Sequence, residues 1–243
     1  MNIINLIPMA GEGQRFKDAG FTNPKPLIEV NGLPMIVRAL KCLPKALKNI
    51  LVVRTDTLDI NEFKKNIKNY FSNVIIIEIN KLTEGQAITC LLAKNYIPDN
   101  SILNIGACDI GVEFNINDYK KSLETFDSFI WTYNNNNNVL KHPHMYGWVK
   151  SNSNNEVEYV SCKKPISNNL LQDHVVSGIF TFKNSSLFFK AIKKMIKQND
   201  RVNNEFYVDN VFNYLDHVAG VMKLKKYSSW GTPGELEDYL RNV

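Results

Sequence analysis

The sequence predicts an α/β fold: a Rossmann-like sheet, mixed but mostly parallel, flanked by helices, with a small antiparallel addition in the second half. Two observations carry this. Short apolar runs at 3–8, 50–54, 74–79 and 102–105 alternate with segments at 34–42, 61–70 and 84–95 whose apolar spacing is helical, the pattern of βαβ units. After Asn115 the alternation stops, and strand-like runs at 128–133, 146–150, 156–161 and 175–182 follow one another through loops. A chain of 243 residues with 44% hydrophobic content can bury one sizeable core, so one principal domain is expected.

Taken in order, the first run leads into IPMAGEGQRFKDAGFTNPKPL. A short buried strand that ends at glycines places a loop at the carboxyl end of a parallel sheet, where such sheets bind ligands. Gly11 and Gly13 clear side chains from a place where backbone N–H groups can meet an anion, and Arg15 and Lys25 add charge suited to a pyrophosphate. Two common phosphate loops are absent. Phe16 stands where the dinucleotide fingerprint needs its third glycine, and no Gly-Lys-Ser/Thr supplies a Walker A loop. The fourth run continues as ILNIGAC and delivers Asp109 to the same sheet edge. A carboxylate beside a polyphosphate loop suits Mg²⁺, which takes one or two carboxylates and keeps several waters. An Asp that caps a turn is the alternative. The asparagine run at 134–138 reads as a flexible polar loop without chemistry. Helical spacing resumes at 185–197, 204–217 and 233–241, with Gly220 closing the second of these.

The net charge of +5 comes from scattered lysines rather than a basic block, which argues against nucleic-acid binding while suiting an anionic small molecule. Cys42, Cys90, Cys108 and Cys162 lie far apart without CxxC pairing, so neither a zinc site nor a disulfide framework is expected, and a reducing cytoplasm is the default. The sequence shows no signal-peptide pattern and no apolar segment of membrane length, and so reads as a soluble chain without a membrane partner. His142 and His144 flank Pro143 and read as surface histidines outside any mechanism.

The motifs MAGEGQRF with NPKPL, TEGQA at a helix start, Asp109 after a buried strand, CKKP, VVSGIFTF, NNEFYVDNVFN and WGTPGELEDYL occur in order along nearly the whole chain. In this combination the sequence resembles the nucleotidylyltransferase family, the sugar-nucleotide pyrophosphorylases and related cytidylyltransferases with a GT-A-like fold. The resemblance implies one domain over 1–243, its nucleotide-binding half at about 1–115 and its acceptor-binding half at about 116–243. It implies that Gly11, Gly13, Arg15 and Lys25 hold the triphosphate, Arg15 and Lys25 being catalytic, and that Asp109 binds Mg²⁺. Met9 and Ala10 would lie near the base, Gln86 would help read it, and Gly178 would lie with the acceptor. The implied reaction is attack by a phosphate oxygen of the acceptor on the α-phosphorus of a nucleoside triphosphate, with release of pyrophosphate, in surface-polysaccharide or capsule biosynthesis. Such a transfer is driven by positioning and charge neutralisation and needs no covalent nucleophile. The oligomeric state stays open, a homo-oligomer included.

Two departures from the family pattern bear on the acceptor and the metal. Many hexose-1-phosphate members carry Glu-Lys-Pro where this chain has Lys163-Lys164-Pro165. Lys164 matches the phosphate-binding lysine, while Lys163 exchanges a hydroxyl acceptor for a cation, which points to a smaller or more acidic acceptor or else to solvent. Related enzymes often place a metal-binding Asp two residues before the glycine of WGTP, and this chain has Ser229 there. Asp209 and Glu205 are the candidate replacements, and Glu205 is also a candidate acceptor contact. Two further readings stand beside the main one: a CTP-dependent cytidylyltransferase for an acidic or small-alcohol phosphate, and a nucleotide-binding regulatory protein with weak turnover. A GT-A glycosyltransferase would share the fold but lack the opening GxGxRF with PKPL.

Overall fold

In the computed structural model, which describes residues 2–242, strand β1 (Ile3–Met9) lies within the main sheet. The glycine loop passes into a short helix α1 (Gln14–Asp18), and a hairpin of β2 (Glu29–Val30) and β3 (Leu33–Pro34) leads to α2 (Met35–Lys41). Next come β4 (Lys48–Arg54), α3 (Ile60–Lys68), β5 (Val74–Ile79), α4 (Gln86–Leu91) and β6 (Ile102–Ile105). The four longer strands form a parallel array in the order β6-β1-β4-β5, with Leu6 level with Ile50 on one side and Ile105 on the other. Alternate residues of β1 feed two cores. Leu6 packs with Ile50, Ala87 and Phe206, whereas Ile7 packs with Leu51, Ile36 and Phe63. Both faces are covered, which is why these strands are continuous apolar runs rather than alternating ones.

The second half begins with β7 (Ile110–Glu113), α5 (Ile116–Thr125), β8 (Ser128–Tyr133), α6 (Asn138–Lys141), β9 (Gly147–Ser151) and β10 (Val157–Cys162). Strand β11 (His174–Phe182) follows and joins the halves by pairing antiparallel with β6, β8 and β9. After it come α7 (Ser185–Lys197), α8 (Val208–Val211), β12 (Gly220–Lys223) beside β8, β13 (Lys226–Ser229) beside β7, and α9 (Pro233–Arg241). The mixed sheet with its antiparallel addition is the architecture expected. No helix among the described residues is long and apolar enough to cross a membrane.

Several local expectations are corrected. The helix expected at 204–217 is reduced to α8 and a 3-10 turn at Phe212–Tyr214. Asn203 and Asn204 adopt φ of 49° and 64°, and Phe206 gives its backbone groups to Glu84 and Ala87 at 2.8 and 2.9 Å, so this stretch cannot propagate a helix. Gly220 does not close that helix but opens β12, where a Cβ would overlap the Phe126 ring. Helix α5 falls in a stretch to which the sequence reading gives no element, started by Asn115, whose side chain accepts from the Asn117 N–H. Strands β7, β12 and β13 were not anticipated. The asparagine run is a turn held by the Asn136 side chain on the Asn138 N–H at 2.9 Å, with Asn138 starting α6.

Candidate functional site

The loops after β1 and β6 open onto a cavity of about 890 Å³. One wall is the glycine loop. Gly13 turns it with φ of 63°, and a Cβ there would lie 3.3 Å from the Lys25 Cβ, so the turn favours glycine on both counts. The loop is fastened from behind by Arg54, whose Nε and Nη2 grip Asp56 at 2.9 and 2.5 Å while Nη1 reaches the Ala10 carbonyl at 3.4 Å. Arg15, exposed on α1, lines the same cavity.

Lys25 enters from the PKPL segment, which forms a 3-10 turn with Pro26 in it and Pro24 before it. Two prolines hold the backbone on either side, so the lysine stem has a fixed origin. Its Nζ lies 2.5 Å from Asp109 Oδ2, 3.4 Å from the Gly231 carbonyl and 5.5 Å from the centroid of the Phe16 ring. Burial alone would lower the Lys25 pKa, but the Asp109 charge and hydrogen bond outweigh it and hold the ammonium above its ordinary value. Asp109 also accepts the Trp230 N–H on its backbone carbonyl at 2.8 Å, which ties WGTP to the end of the β6 loop. Neighbouring Cys108 is pushed up to about 12 by burial and by Asp109, so it is a neutral thiol.

A Cβ on Gly231 would stand 3.3 Å from Glu235 Oε2, 3.4 Å from Asp109 Oδ2 and 3.4 Å from Ser229 Oγ. Three hard oxygen donors thus surround one point near Lys25 and Asp109, a donor set that suits Mg²⁺. No group of three or more His, Cys, Asp or Glu side chains with metal-binding geometry exists among the described residues, so substrate oxygens and water would complete such a shell.

The cavity is also lined by Gln86 at the start of α4, preceded by Gly85 with φ of 116°. Thr83 and Thr89 hydroxyls lie 2.6 Å apart, and each bonds the Gly85 carbonyl at 3.1 Å, fixing the TEGQA turn. Lys163, Gly178, Glu205 and Asp209 line the same cavity, Gly178 close to Ala107 of the β6 loop and Glu205 close to Gly85. Lys163 has φ of 60°, donates to the Met145 carbonyl and lies 5.3 Å from the centroid of the Tyr207 ring.

The structure therefore brings Ala10, Gly11, Gly13, Arg15, Lys25, Gln86 and Asp109 to one cleft with those four residues. Met9 is buried behind it and lines an adjoining cavity of about 290 Å³ with Gly13, Lys25 and Asp109. Lys164 is exposed and does not line the cavity. Asp209 is buried and packs close under Gly147, away from the three oxygens at Gly231. Burial raises its pKa despite the nearby Cys162 and Lys163. Glu205 is exposed at the cleft beside Tyr207, whose phenol is pushed up to about 12 by burial and by Glu205. Sequence reasoning missed Glu235 and Tyr227, which line the cleft too. The Thr232-x-x-Glu235 spacing reads as a helix cap and gives no sign of a cleft residue.

The family described as nucleotidyl transferase matches residues 4–242. Among curated proteins, the "Bifunctional protein GlmU" of Methanococcus aeolicus is 27% identical over 215 residues, covering 80% of this chain and 47% of that protein. The chain thus spans about half the length of this relative. Among solved structures, a nucleoside-diphosphate-sugar pyrophosphorylase from Vibrio cholerae RC9 superposes with a TM-score of 0.77 at 20% identity, over 98% of this chain and 99% of that one. The inositol-1-phosphate CTP transferase from T. maritima gives a TM-score of 0.70 at 14% identity, over 98% and 94% of the two chains. These structural matches show the shared fold.

Proposed function

The chain belongs to the nucleotidyl transferase family, and from that premise we propose that it transfers a nucleoside monophosphate from a nucleoside triphosphate to a small phosphorylated acceptor, releasing pyrophosphate. The observation that carries this reading is the meeting of the glycine loop, Lys25 and Asp109 in one cleft that Lys163 also lines. The triphosphate lies along the backbone of Gly11 to Gly13, with Arg15 and Lys25 on its charge. Ala10 and Gln86 flank the base, and Met9 supports the loop from below. Lys25 stays protonated through neutral pH, so its charge is available to the departing pyrophosphate at every turnover. When bound at Asp109, Mg²⁺ supplies charge neutralisation to the phosphate oxygens.

The acceptor occupies the end of the cleft near Gly178 and Lys163, where its phosphate oxygen is oriented toward the α-phosphorus. Alignment of the two reactants supplies much of the rate. Lys163, a cation in place of a hydroxyl acceptor, favours an acceptor that is anionic or poor in hydroxyls. Supply of an activated building block for surface polysaccharide is the role that fits such a product. The test is ³¹P NMR of mixtures of each nucleoside triphosphate with a panel of phosphorylated sugars, polyols and small acids. A diphosphate-linked product with stoichiometric pyrophosphate supports the proposal, and hydrolysis to nucleoside monophosphate alone contradicts it.

A further inference from the structure

Glu235 and Asp109 reach Gly231 from different parts of the chain, α9 and the loop after β6, and place one carboxylate oxygen each at 3.3 and 3.4 Å from the same point. Its Thr-x-x-Glu spacing would ordinarily make Glu235 a capping residue whose carboxylate returns to the N-cap backbone N–H. Here that carboxylate instead accepts the Thr232 hydroxyl at 3.1 Å, while Thr232 Oγ1 accepts the Glu235 N–H at 3.2 Å. The Glu235 N–H is capped by Thr232, and the carboxylate, which takes the Thr232 hydroxyl on the same Oε2 that faces Gly231, lines the cleft. Lys25 neutralises Asp109, but among the described residues no cation pairs with Glu235. Both carboxylates also act on Tyr227, whose phenol is pushed up first by burial, then by Asp109 and Glu235. The third oxygen at the point is the Ser229 hydroxyl, which is neutral and supplies no charge.

We propose that Glu235 is the second carboxylate of the divalent-cation site, holding the ion together with Asp109 at Gly231. This rests on the reading of Asp109 as a metal ligand. It explains why position 231 is glycine, since any side chain would fill the space where the three oxygens converge.

The test is Mn²⁺ titration of the unliganded protein, read as loss of the free-ion EPR signal and so independent of turnover. Glu235→Gln keeps a residue that serves in a capping box and should fold, which circular dichroism checks. It is expected to weaken Mn²⁺ binding by roughly tenfold or more, given that even outer partners of a metal site are worth about 10–100-fold. Glu237→Gln, on the same helix but exposed and pairing with Arg241, should bind as wild type. Ser229→Asp added to Glu235→Gln should restore binding, because its carboxylate originates at the same point. If Asp109→Asn abolishes binding while Glu235→Gln leaves it at the wild-type level, the assignment of Glu235 is wrong. If wild type holds no Mn²⁺, or Asp109→Asn binds it equally well, the metal reading of the cleft is wrong and takes the proposal with it.

Discussion

Lys25 Nζ donates to Asp109 Oδ2 across 2.5 Å, joining the PKPL segment to the carboxylate that follows β6. On the proposed function, the ammonium and a divalent cation would compete for this one carboxylate, and a bound triphosphate would draw the lysine away. Lys25→Met is expected to tighten Mn²⁺ binding in the absence of nucleotide while lowering kcat/KM by roughly 10²-fold, a size typical of a lost preorganised donor. Weaker binary Mn²⁺ binding in that variant would mean that the ion pair does not guard the site.

The same pair sets a pH dependence. The folded-state pKa of Lys25 is raised above 10.5, so the pairing stabilises the fold fully below that pH and its contribution fades as pH rises through the folded-state value. Urea unfolding from neutral pH to pH 11 should show wild type more stable than Lys25→Met by a constant margin at first. That margin should shrink above about pH 10.5. A margin that grows there would contradict the assignment.

Arg15 is exposed and its loss leaves the core intact, so Arg15→Ala should keep the wild-type melting temperature. Steady-state kinetics should show kcat/KM reduced by roughly 10²-fold, since a charge aimed at the triphosphate is gone. Unchanged kinetics would remove Arg15 from the site.

Lys163 and Lys164 separate two accounts of the acceptor end. The left-handed backbone at Lys163 turns that residue into the cleft and leaves Lys164 exposed. Lys163→Ala is expected to weaken the acceptor by about 1.5–3 kcal/mol, the worth of a hydrogen bond to a charged group, with the KM for nucleotide unchanged. Lys164→Ala should leave both Michaelis constants nearly unaltered. The opposite pattern would restore the role that the family pattern gives Lys164.

The opening loop was legible in the sequence because its glycines and Arg15 are neighbours in the chain and Lys25 follows closely. Asp109 was legible because a buried run ends just before it. Glu235 was not, since its approach to Asp109 depends on the Trp230–Asp109 backbone bond that folds WGTP onto the β6 loop. That Lys163 rather than Lys164 lines the cavity was not legible, because sequence position carries no sign of the φ of 60° at Lys163. The helix expected at 204–217 failed for a related reason. Its apolar spacing is real, but the Phe206 backbone is taken by Glu84 and Ala87, a long-range pairing that outweighs local propensity.

That pairing yields a stability test. At Gly85, with φ of 116°, a Cβ would lie 2.6 Å from both the N and the O of Phe206. Gly85→Ala combines backbone strain with this overlap and is expected to cost about 1–3 kcal/mol or more, read by urea denaturation. A neutral substitution would show that the TEGQA turn is not held against Phe206.

The most direct test of the central claim is pyrophosphate release measured for wild type and Asp109→Asn across the four nucleoside triphosphates and a panel of phosphorylated acceptors. The account predicts release that requires both substrates and Mg²⁺, stops in excess chelator, and is abolished in Asp109→Asn, whose amide keeps the side-chain shape but loses the charge. Release that continues undiminished in the variant, or that proceeds without any acceptor, would contradict it.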